Sequence, residues 1–448
     1  MNKIATNPVR SAVVMLSAWL AGCSGNHAAN PSIIPPRQAC SVDNEESCLR
    51  DVNYQWKFGL SGNPAGGASI SPGNQYALTL EGDVITYDNL GRLLLVNSSD
   101  GQSVIVDEGY ESALLPFVIS QNAPMIDDHD MLYVQNVVGE LHAIDLRNGY
   151  NTLWVRTFPQ APPPQHMNLT ALGYGPSLFI MDAEKVSSVD KVTGDVFWEV
   201  TGLSIDFTEA LSCISENVVA GAYLHSAFSL NADDGEMNWI RESSHESIAS
   251  SASSCMAIDG SGIYYCSYDS MRKLDASTGE VIWERLFDAD SDIKPRSGSA
   301  IGKDRFFLVN SDAEDQNGSL VAFSNGNGEL IWSYPLEGRA WGTPAIGEDG
   351  AVYVGDLTGM VYAIDGENGA LIWRFEASGA ISETCPLIGK DGTVFITSND
   401  GWLYAIEGGG EGLCRSCPWP RFRHDNQNTA RTGWLDTKTD SLPKEKSK

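Results

Sequence analysis

Charged residues are scarce in this chain, and basic residues are the scarcer kind. Only 19% of the 448 residues are charged, and 58 acidic residues stand against 29 basic ones. The formal net charge of −29 gives a surface that repels phosphate backbones and anionic headgroups. We therefore expect no nucleic-acid binding. The acidity serves solubility, with recruitment of a basic partner as the alternative.

Long apolar runs are also missing, apart from one near the N-terminus. Residues 11–22 (SAVVMLSAWLAG) follow a basic start and are too short to span a bilayer. They end at Cys23 in the order Leu-Ala-Gly-Cys, which resembles the bacterial lipobox. The resemblance implies that residues 1–22 are a signal peptide and that Cys23 carries a lipid. An ordinary signal peptide that happens to contain a cysteine is the alternative.

The lipobox resemblance also implies a location. Ser24, which follows the cysteine, favours the outer membrane over retention at the inner membrane. The polar, proline-rich residues 23–52 are then a lipidated tether, and the lipid is the chain's contact with the membrane. We expect a protein on the periplasmic face of the outer membrane, with the cell surface as the alternative.

Amphipathic helices are a third absence, because no stretch shows a convincing helical period. Aromatic and β-branched runs such as MVYAID and WLYAIE alternate instead with turns rich in Asp, Asn and Gly. A unit Asp-x-x-x-Gly-x-x-x-Trp recurs among them, and its tryptophans are 41 to 49 residues apart. Such a period is typical of propeller blades. The chain is therefore expected to be all-β.

The unit predicts an eight-bladed β-propeller of four-stranded antiparallel blades over residues 53–435. The first copy has Ile105 where the tryptophan belongs, and the last copy reaches no tryptophan. The N-terminal strand around Trp56 matches the strand that follows Trp373, so we expect it to complete the last blade and close the ring. Residues 436–448 have nothing to bury and are expected to be disordered.

These units resemble the pyrroloquinoline-quinone-type propeller repeat, over roughly residues 53 to 412. The resemblance implies that the tryptophan of each unit docks one blade on the next. That role falls on Trp56, Trp154, Trp198, Trp239, Trp283, Trp332 and Trp373. Residues 418–434 (PWPRFRHDNQNTARTGW) also resemble a segment of such proteins that usually precedes the first blade. Its position after the last blade leaves its packing open.

The lipobox, size and repeats are similar in architecture to the propeller lipoproteins of the outer-membrane β-barrel assembly machinery. The similarity implies a monomeric, non-enzymatic scaffold without a cofactor, which binds envelope proteins through its face loops. The alternatives are a quinone- or calcium-dependent oxidoreductase and a propeller that binds a small ligand or glycan. Quinone dehydrogenases of this type carry an adjacent Cys-Cys pair, which this chain lacks. It also lacks the HExxH and GxSxG motifs, so no catalytic residue is assigned.

Two groups of loop residues are candidates for binding. Six carboxylates are expected on one face between the fifth and sixth blades, where a cation or basic partner could bind: Asp288, Asp290, Asp292, Asp312, Glu314 and Asp315. A solvated pair of acidic loops is the alternative, since no complete calcium-loop motif is present. Arg339 and Trp341 lie outside the repeat register on the same face, and this residue pair is typical of protein-binding hot spots.

The cysteines suit an exported protein with disulfides. Cys255 and Cys266 flank a tight turn with equal arms, which predicts a bond across a hairpin. The other candidate pairs are local in sequence, namely Cys40 with Cys48 and Cys414 with Cys417. The second of these is expected to be a structural staple, because its proline-rich surroundings offer no helix N-terminus to activate a thiol. Cys213 and Cys385 are left either unpaired or bonded to each other.

Overall fold

The computed structural model describes the propeller region in segments. These segments are residues 52–60, 76–88, 92–107, 123–135, 140–158, 168–181, 185–202, 211–215, 218–223, 226–242, 256–260, 262–267, 270–287, 291–311 and 317–435. Within them the chain forms strands, turns and isolated bridges. No helix in these segments has the length and apolarity needed to cross a bilayer.

Short antiparallel strands make up almost all of the regular structure. The first half contains β1 (Tyr54–Gly59), β2 (Tyr76–Leu78), β3 (Val84–Tyr87), β4 (Leu93–Val96), β5 (Ser103–Asp107), β6 (Met125–Ile126), β7 (Met131–Gln135), β8 (Glu140–Asp145), β9 (Asn151–Thr157), β10 (Asn168–Leu172), β11 (Ser177–Met181), β12 (Lys185–Asp190), β13 (Val196–Thr201), β14 (Ser212–Ser215), β15 (Val218–Tyr223), β16 (Ser226–Asn231) and β17 (Met237–Glu242). The second half contains β18 (Ala257–Asp259), β19 (Gly262–Ser267), β20 (Ser270–Asp275), β21 (Val281–Leu286), β22 (Lys294–Pro295), β23 (Ala300–Ile301), β24 (Arg305–Ser311), β25 (Gly318–Ser324), β26 (Leu330–Pro335), β27 (Ala345–Ile346), β28 (Ala351–Gly355), β29 (Met360–Asp365), β30 (Leu371–Glu376), β31 (Leu387–Ile388), β32 (Val394–Ser398) and β33 (Trp402–Ile406).

Consecutive strands form the sheets, with one composite exception. Six four-stranded sheets follow chain order: β2–β5, β6–β9, β10–β13, β14–β17, β18–β21 and β27–β30. A seventh four-stranded sheet has the order β1-β33-β32-β31, with Trp56 opposite Ala405. The N-terminal strand therefore supplies the outer strand of the last sheet, as its sequence match to the strand after Trp373 predicted. The Lys57 ammonium strengthens this pairing, 4.3 Å from the centre of the Trp402 ring.

The prediction of eight four-stranded blades is wrong. Seven sheets have four strands, whereas the remaining sheet has five, because β22 and β23 both pair with β24. β24 is seven residues long and reaches beyond β23, so that Ser311 pairs with Lys294. Pro295 has no amide hydrogen to donate. The Arg296 amide still donates to the Val309 carbonyl over 2.9 Å, and the chain then leaves the ladder until Ala300 pairs. The innermost strand of this sheet is thereby divided into two short strands.

Burial falls from the inner strands to the outer ones. All residues of β24 and of β28 are buried, because neighbouring sheets cover both faces of a blade. This explains near-continuous apolar runs such as AVYVG in place of an alternating pattern. The outer strand β26 alternates between exposed and half-buried residues, since the blades diverge at the rim. The outer rim therefore exposes both side chains and sheet edges.

Candidate functional site

Tryptophans link neighbouring sheets at seven of the eight junctions around the ring. Seven indole N–H groups donate to a turn carbonyl of the neighbouring sheet over 2.9–3.2 Å: Trp56 to Ser98, Trp154 to Lys191, Trp198 to Ala232, Trp239 to Ala276, Trp283 to Asn325, Trp332 to Gly366 and Trp373 to Gly408. Six of these indoles lie against a turn glycine whose φ is between 68° and 78°. A Cβ at those glycines would lie 2.5–2.9 Å from the ring. These are the contacts that a blade-docking role requires.

The junction between the β2–β5 and β6–β9 sheets has no such tryptophan. Ile105 takes its place, opposite Leu94, and is 38% exposed. The turn that faces Ile105 has one residue more than the other turns. Tyr150, with φ 60°, lies four residues before Trp154, the position that glycine occupies in the other turns. Tyr150 packs against the core cluster of both sheets. A side chain at position 150 would clash with an indole at position 105. The tyrosine at 150 and the missing tryptophan at 105 are therefore complementary changes.

This complementarity predicts strong coupling between the two positions. Ile105→Trp alone should lower the free energy of unfolding by about 2 kcal/mol through overpacking. Tyr150→Gly alone should lower it by about 1 kcal/mol, since lost packing exceeds the relieved strain. The double variant should recover most of the loss, with a coupling energy of about 2 kcal/mol in urea unfolding. If the effects of the two single variants simply add in the double variant, the changes at positions 105 and 150 are not complementary.

The segment after the last sheet fills the propeller axis. Residues 418–435, here called the axial segment, form backbone hydrogen bonds to the innermost strands of successive sheets. These bonds join Ile301 with Trp419, Ile346 with Pro420, Leu78 with Asn426, Ile126 with Gln427, Leu172 with Thr429 and Cys213 with Ala430. The segment therefore satisfies inner-strand amides that would otherwise line an open channel. The sequence pattern did not indicate this packing.

Polar side chains of the axial segment reinforce these contacts. The Arg421 guanidinium donates to the carbonyl of Pro386 over 3.1 Å and to Asn428 Oδ1 over 2.8 Å. The Asn428 amide in turn donates to the carbonyls of Tyr76 and Pro124, both over 2.9 Å. Two buried side chains thus join the starts of three inner strands. Their hydrogen bonds offset the cost of burying them.

Asp425 organises the turn at the centre of this network. Its Oδ1 accepts the amides of Gln427 and Thr429 over 3.1 and 3.0 Å, and its Oδ2 accepts the Thr429 hydroxyl and lies 3.3 Å from His424 Nδ1. Burial raises the pKa of this carboxyl, but the contacts with His424 and Thr429 outweigh burial and hold the pKa below its usual value. Asp425 is the one carboxylate of the axial segment, and both oxygens are engaged.

The depressed pKa predicts acid sensitivity. A carboxyl whose folded pKa lies below its unfolded value stabilises the fold fully above the unfolded pKa, about 3.9. That contribution is lost as pH falls through the folded pKa. Asp425→Asn should therefore lower the melting temperature at pH 7 and flatten its decline below about pH 4. Melting curves from pH 2 to 7 measure this, and equal acid slopes in both proteins would contradict it.

A cavity of about 380 Å³ opens where the axial segment ends against the turns after β2, β27 and β31. Its lining is partly apolar and partly charged, and includes Leu80, Glu348, Ile388, Lys390, Leu413, Arg415, Trp434 and Leu435. The Arg415 guanidinium lies 4.8 Å from the centre of the Trp434 ring. The indole N–H of Trp434 donates to the Arg415 carbonyl over 3.0 Å. The sequence did not indicate this cavity.

The predicted loop sites are only partly within the described residues. Arg339 and Trp341 form a cation–π contact, with 5.2 Å between the guanidinium carbon and the ring centre. Asp292 is exposed, and its carbonyl accepts the Asn310 amide over 2.8 Å. The other five predicted carboxylates lie outside the described residues, as does Cys23. The cation or basic-partner site therefore stays a prediction.

One cluster of possible metal ligands occurs among the described residues. Ligand atoms of Asp127, Asp128 and His129 lie within 4.8 Å of one another. Asp127, however, caps its turn, accepting the amides of His129 and Met131 over 2.8 and 3.0 Å. The Lys191 ammonium already lies 3.8 Å from the Asp127 carboxylate and 4.0 Å from that of Asp128. These contacts account for the cluster as a turn cap.

Two cysteine predictions have different outcomes. A disulfide joins Cys414 and Cys417, directly before the axial segment. The predicted bond between Cys255 and Cys266 is wrong, because the Cys266 thiol is free. Cys266 is instead buried in the core, and its Sγ lies 3.5 Å from the Ser299 hydroxyl. Burial raises the pKa of this thiol to about 11, so it is unreactive at neutral pH. Cys255 itself lies outside the described residues.

The other cysteines are either buried outside any disulfide or lie outside the described part of the chain. Cys213 and Cys385 are both buried and form no disulfide, so they are not bonded to each other. Burial raises the pKa of the Cys213 thiol to about 12. The Sγ of Cys385 accepts the Thr343 amide over 3.0 Å. Both thiols therefore act as core side chains. The predicted bond between Cys40 and Cys48 lies outside the described residues.

Solved structures show how widely this fold occurs. BamB from Moraxella catarrhalis superposes with a TM-score of 0.55 at 15% identity, over 80% of this chain and 99% of that one. The quinohemoprotein alcohol dehydrogenase from Comamonas testosteroni superposes with a TM-score of 0.57 at 12% identity, over 82% of this chain and 78% of that one. At such identities the likeness shows the fold alone.

Sequence comparison is more specific. The outer membrane protein assembly factor BamB of Taylorella asinigenitalis (strain MCE3) is 25% identical over 183 residues, which are 39% of this chain and 44% of that protein. The match thus spans less than half of that relative. A family model described as outer membrane protein assembly factor BamB matches residues 151–297 and 316–412, more than half of the chain. The chain therefore belongs to the family of the outer membrane protein assembly factor BamB.

Proposed function

We propose that this protein is a non-enzymatic interaction scaffold of the bacterial cell envelope that takes part in the assembly of outer-membrane proteins. The family match over more than half of the chain is the observation that carries the proposal. The proposed role requires no cofactor.

The proposed location is the periplasmic face of the outer membrane. A lipid on Cys23 would hold the protein there, and residues 23–52 would give the propeller reach from the membrane. The acidic propeller would itself be repelled by anionic headgroups. A Cys23→Ser variant should appear in the soluble periplasmic fraction, whereas the wild type should sediment with outer membranes.

Arg339 and Trp341 are the proposed partner contact on the loop face. The half-buried guanidinium stacks on the half-buried indole, so both side chains are ordered before binding and lose little entropy on contact. Arginine and tryptophan are the residue types that dominate binding energies at interfaces. Loss of either side chain should therefore weaken partner binding without changing the fold.

Affinity purification from detergent-solubilised membranes tests the function. The wild type should reproducibly recover one or more outer-membrane assembly proteins, and an Arg339→Ala, Trp341→Ala double variant should recover at least about tenfold less. Lys303→Ala, at a charged position away from this pair, is the matched control. Failure of the wild type to recover any envelope protein would overturn the scaffold role. Dye reduction after adding the quinone with calcium would instead establish an oxidoreductase.

A further inference from the structure

The cavity beside the axial segment has the size of a small-ligand site. Its volume of about 380 Å³ lies within the range of known ligand pockets, about 300–1,000 Å³. It opens at the turns between the inner and second strands of three sheets, where Leu80, Glu348 and Lys390 lie. Arg339 and Trp341 directly precede an inner strand and so lie at the opposite end of the blades. The cavity is thus separate from the proposed partner contact.

Apolar side chains give the cavity a surface for one apolar group. Leu413, Leu435 and Ile388 contribute to the lining and are otherwise buried, and the half-buried Leu80 and Trp434 complete it. Covering such a surface is favourable by about 25 cal/mol for each Å² of apolar area removed from water. A ligand that fits this cavity therefore carries an apolar side chain.

Two cations of the lining are available to a ligand. The Lys390 ammonium donates to the Leu80 carbonyl over 2.8 Å, which leaves it two further N–H donors. The Arg415 guanidinium stacks on the Trp434 ring. Within the described residues no carboxylate forms an ion pair with either cation, although the chain has 58 acidic residues and 29 basic ones. An arginine and a lysine in such positions can bind the carboxylate of a ligand.

The backbone of Arg415 is held in place without a ligand. Its carbonyl accepts the Trp434 indole N–H over 3.0 Å, and its amide donates to the Glu348 carboxylate. The disulfide between Cys414 and Cys417 encloses Arg415 in a short loop. Binding of a ligand therefore requires little further ordering of this residue.

The two carboxylates of the lining differ in their contacts. Glu348 is engaged by the Arg415 amide. Glu411 is exposed and makes no hydrogen bond or ion pair with the rest of the described chain. The formal net charge of −29 repels a ligand with a net negative charge, whereas a zwitterion is not repelled. Glu411 is then free to pair with the ammonium group of a zwitterion.

We infer that this cavity is a binding site for a short peptide of about two or three residues, with both ends free and an apolar side chain. The carboxylate of the peptide binds Arg415 and Lys390, and its ammonium binds Glu411. Its apolar side chain packs on Leu413 and Trp434. The free ends of a peptide carry both charges at neutral pH, since their pKa values are about 3.3–3.7 and 7.7–8.0. Such a site goes beyond the scaffold role and does not depend on it.

Ligand-observed NMR titration of the full-length protein with the dipeptide Leu-Leu tests the inference. Leu-Leu should bind with a Kd of about 1 mM or lower. Amidation of its carboxylate or acetylation of its amine should each weaken binding about tenfold, because each change removes a charge-assisted hydrogen bond. Arg415→Gln and Glu411→Gln should each weaken the binding of Leu-Leu by the same factor.

Arg374→Gln is the matched control, since Arg374 is also exposed and lies outside the cavity lining. This variant should bind Leu-Leu as the wild type does. Melting curves establish which variants fold. Glu411→Gln changes a carboxylate that has no partner among the described residues, so it tests the site even if Arg415→Gln unfolds the protein.

Three outcomes would overturn the inference. Absence of Leu-Leu binding at millimolar concentrations would exclude the site. Equal binding of Leu-Leu and its two blocked forms would show that the protein does not recognise the charged ends. Equal affinity of the Glu411→Gln, Arg415→Gln and Arg374→Gln variants for Leu-Leu would place the peptide elsewhere on the propeller.

Discussion

A chain that ends at Gly412 is expected to lose its cooperative unfolding transition. Removing the axial segment takes away the backbone partners of inner-strand amides such as those of Leu78, Ile126 and Leu172. Each buried amide left unpaired costs about 1–3 kcal/mol, and water entering the axis recovers only part of that. The total rivals the whole stability of a domain, about 5–15 kcal/mol. Circular dichroism and calorimetry measure the loss.

A chain that ends at Leu435 is the matched control, since it keeps the entire axial segment and lacks only residues 436–448. It should melt as the full-length protein does. A synthetic peptide of residues 413–435 should restore part of the cooperative transition to the shorter chain, because the inner strands supply the same hydrogen-bond partners. If the chain ending at Gly412 melts at the wild-type temperature, the axial segment does not hold the ring together.

Removal of β1 is the second change with a large expected effect. A chain that starts at Ser61 lacks the outer strand of the composite sheet and the Trp56 indole, which donates to Ser98 across the junction. Loss of a buried tryptophan alone costs about 3–5 kcal/mol. We expect a loss of about 5 kcal/mol or more in urea unfolding, and aggregation through the newly exposed edge of β33.

A chain that starts at Val52 provides the control, because it lacks the same leader, tether and cysteines but retains β1. It should unfold with wild-type stability. Trp56→Ala should reproduce most of the loss, whereas Tyr54→Ala, at a 44% exposed position of the same strand, should have a smaller effect. Full stability of the chain that starts at Ser61 would show that β1 does not close the ring.

Much of the fold was predictable because the repeat is local. Turn glycines and the tryptophans four residues after them report hairpins and docking contacts within a few residues of one another. The strand around Trp56 could be assigned to the last sheet, since it matches the strand after Trp373. The number of strands in the sheet around β24 could not be predicted, because it depends on how far β24 extends beside Lys294. That length is a property of paired strands and has no signature in either strand alone.

The candidate site was less predictable. Arg339 and Trp341 could be singled out because they interrupt the repeat, and the structure brings them into contact. The bond between Cys255 and Cys266 was expected from their spacing around a turn, yet the Cys266 side chain lies in the core beside Ser299. The sequence shows one sign of the complementary change at Tyr150, namely the extra residue in the turn before Trp154. The consequence of that residue for packing could not be predicted, because it depends on the space between neighbouring sheets.

The sequence by itself determined the β-propeller class, the docking tryptophans and the closure by β1. Periodic residues encode these features, and each interacts with the same local partner in every unit. Only the tertiary structure decided where residues 418–435 pack and which cavity they border. Those features join residues far apart in the chain, such as Asn428 with Tyr76, and Trp419 with Ile301. Their proximity arises only when the ring closes.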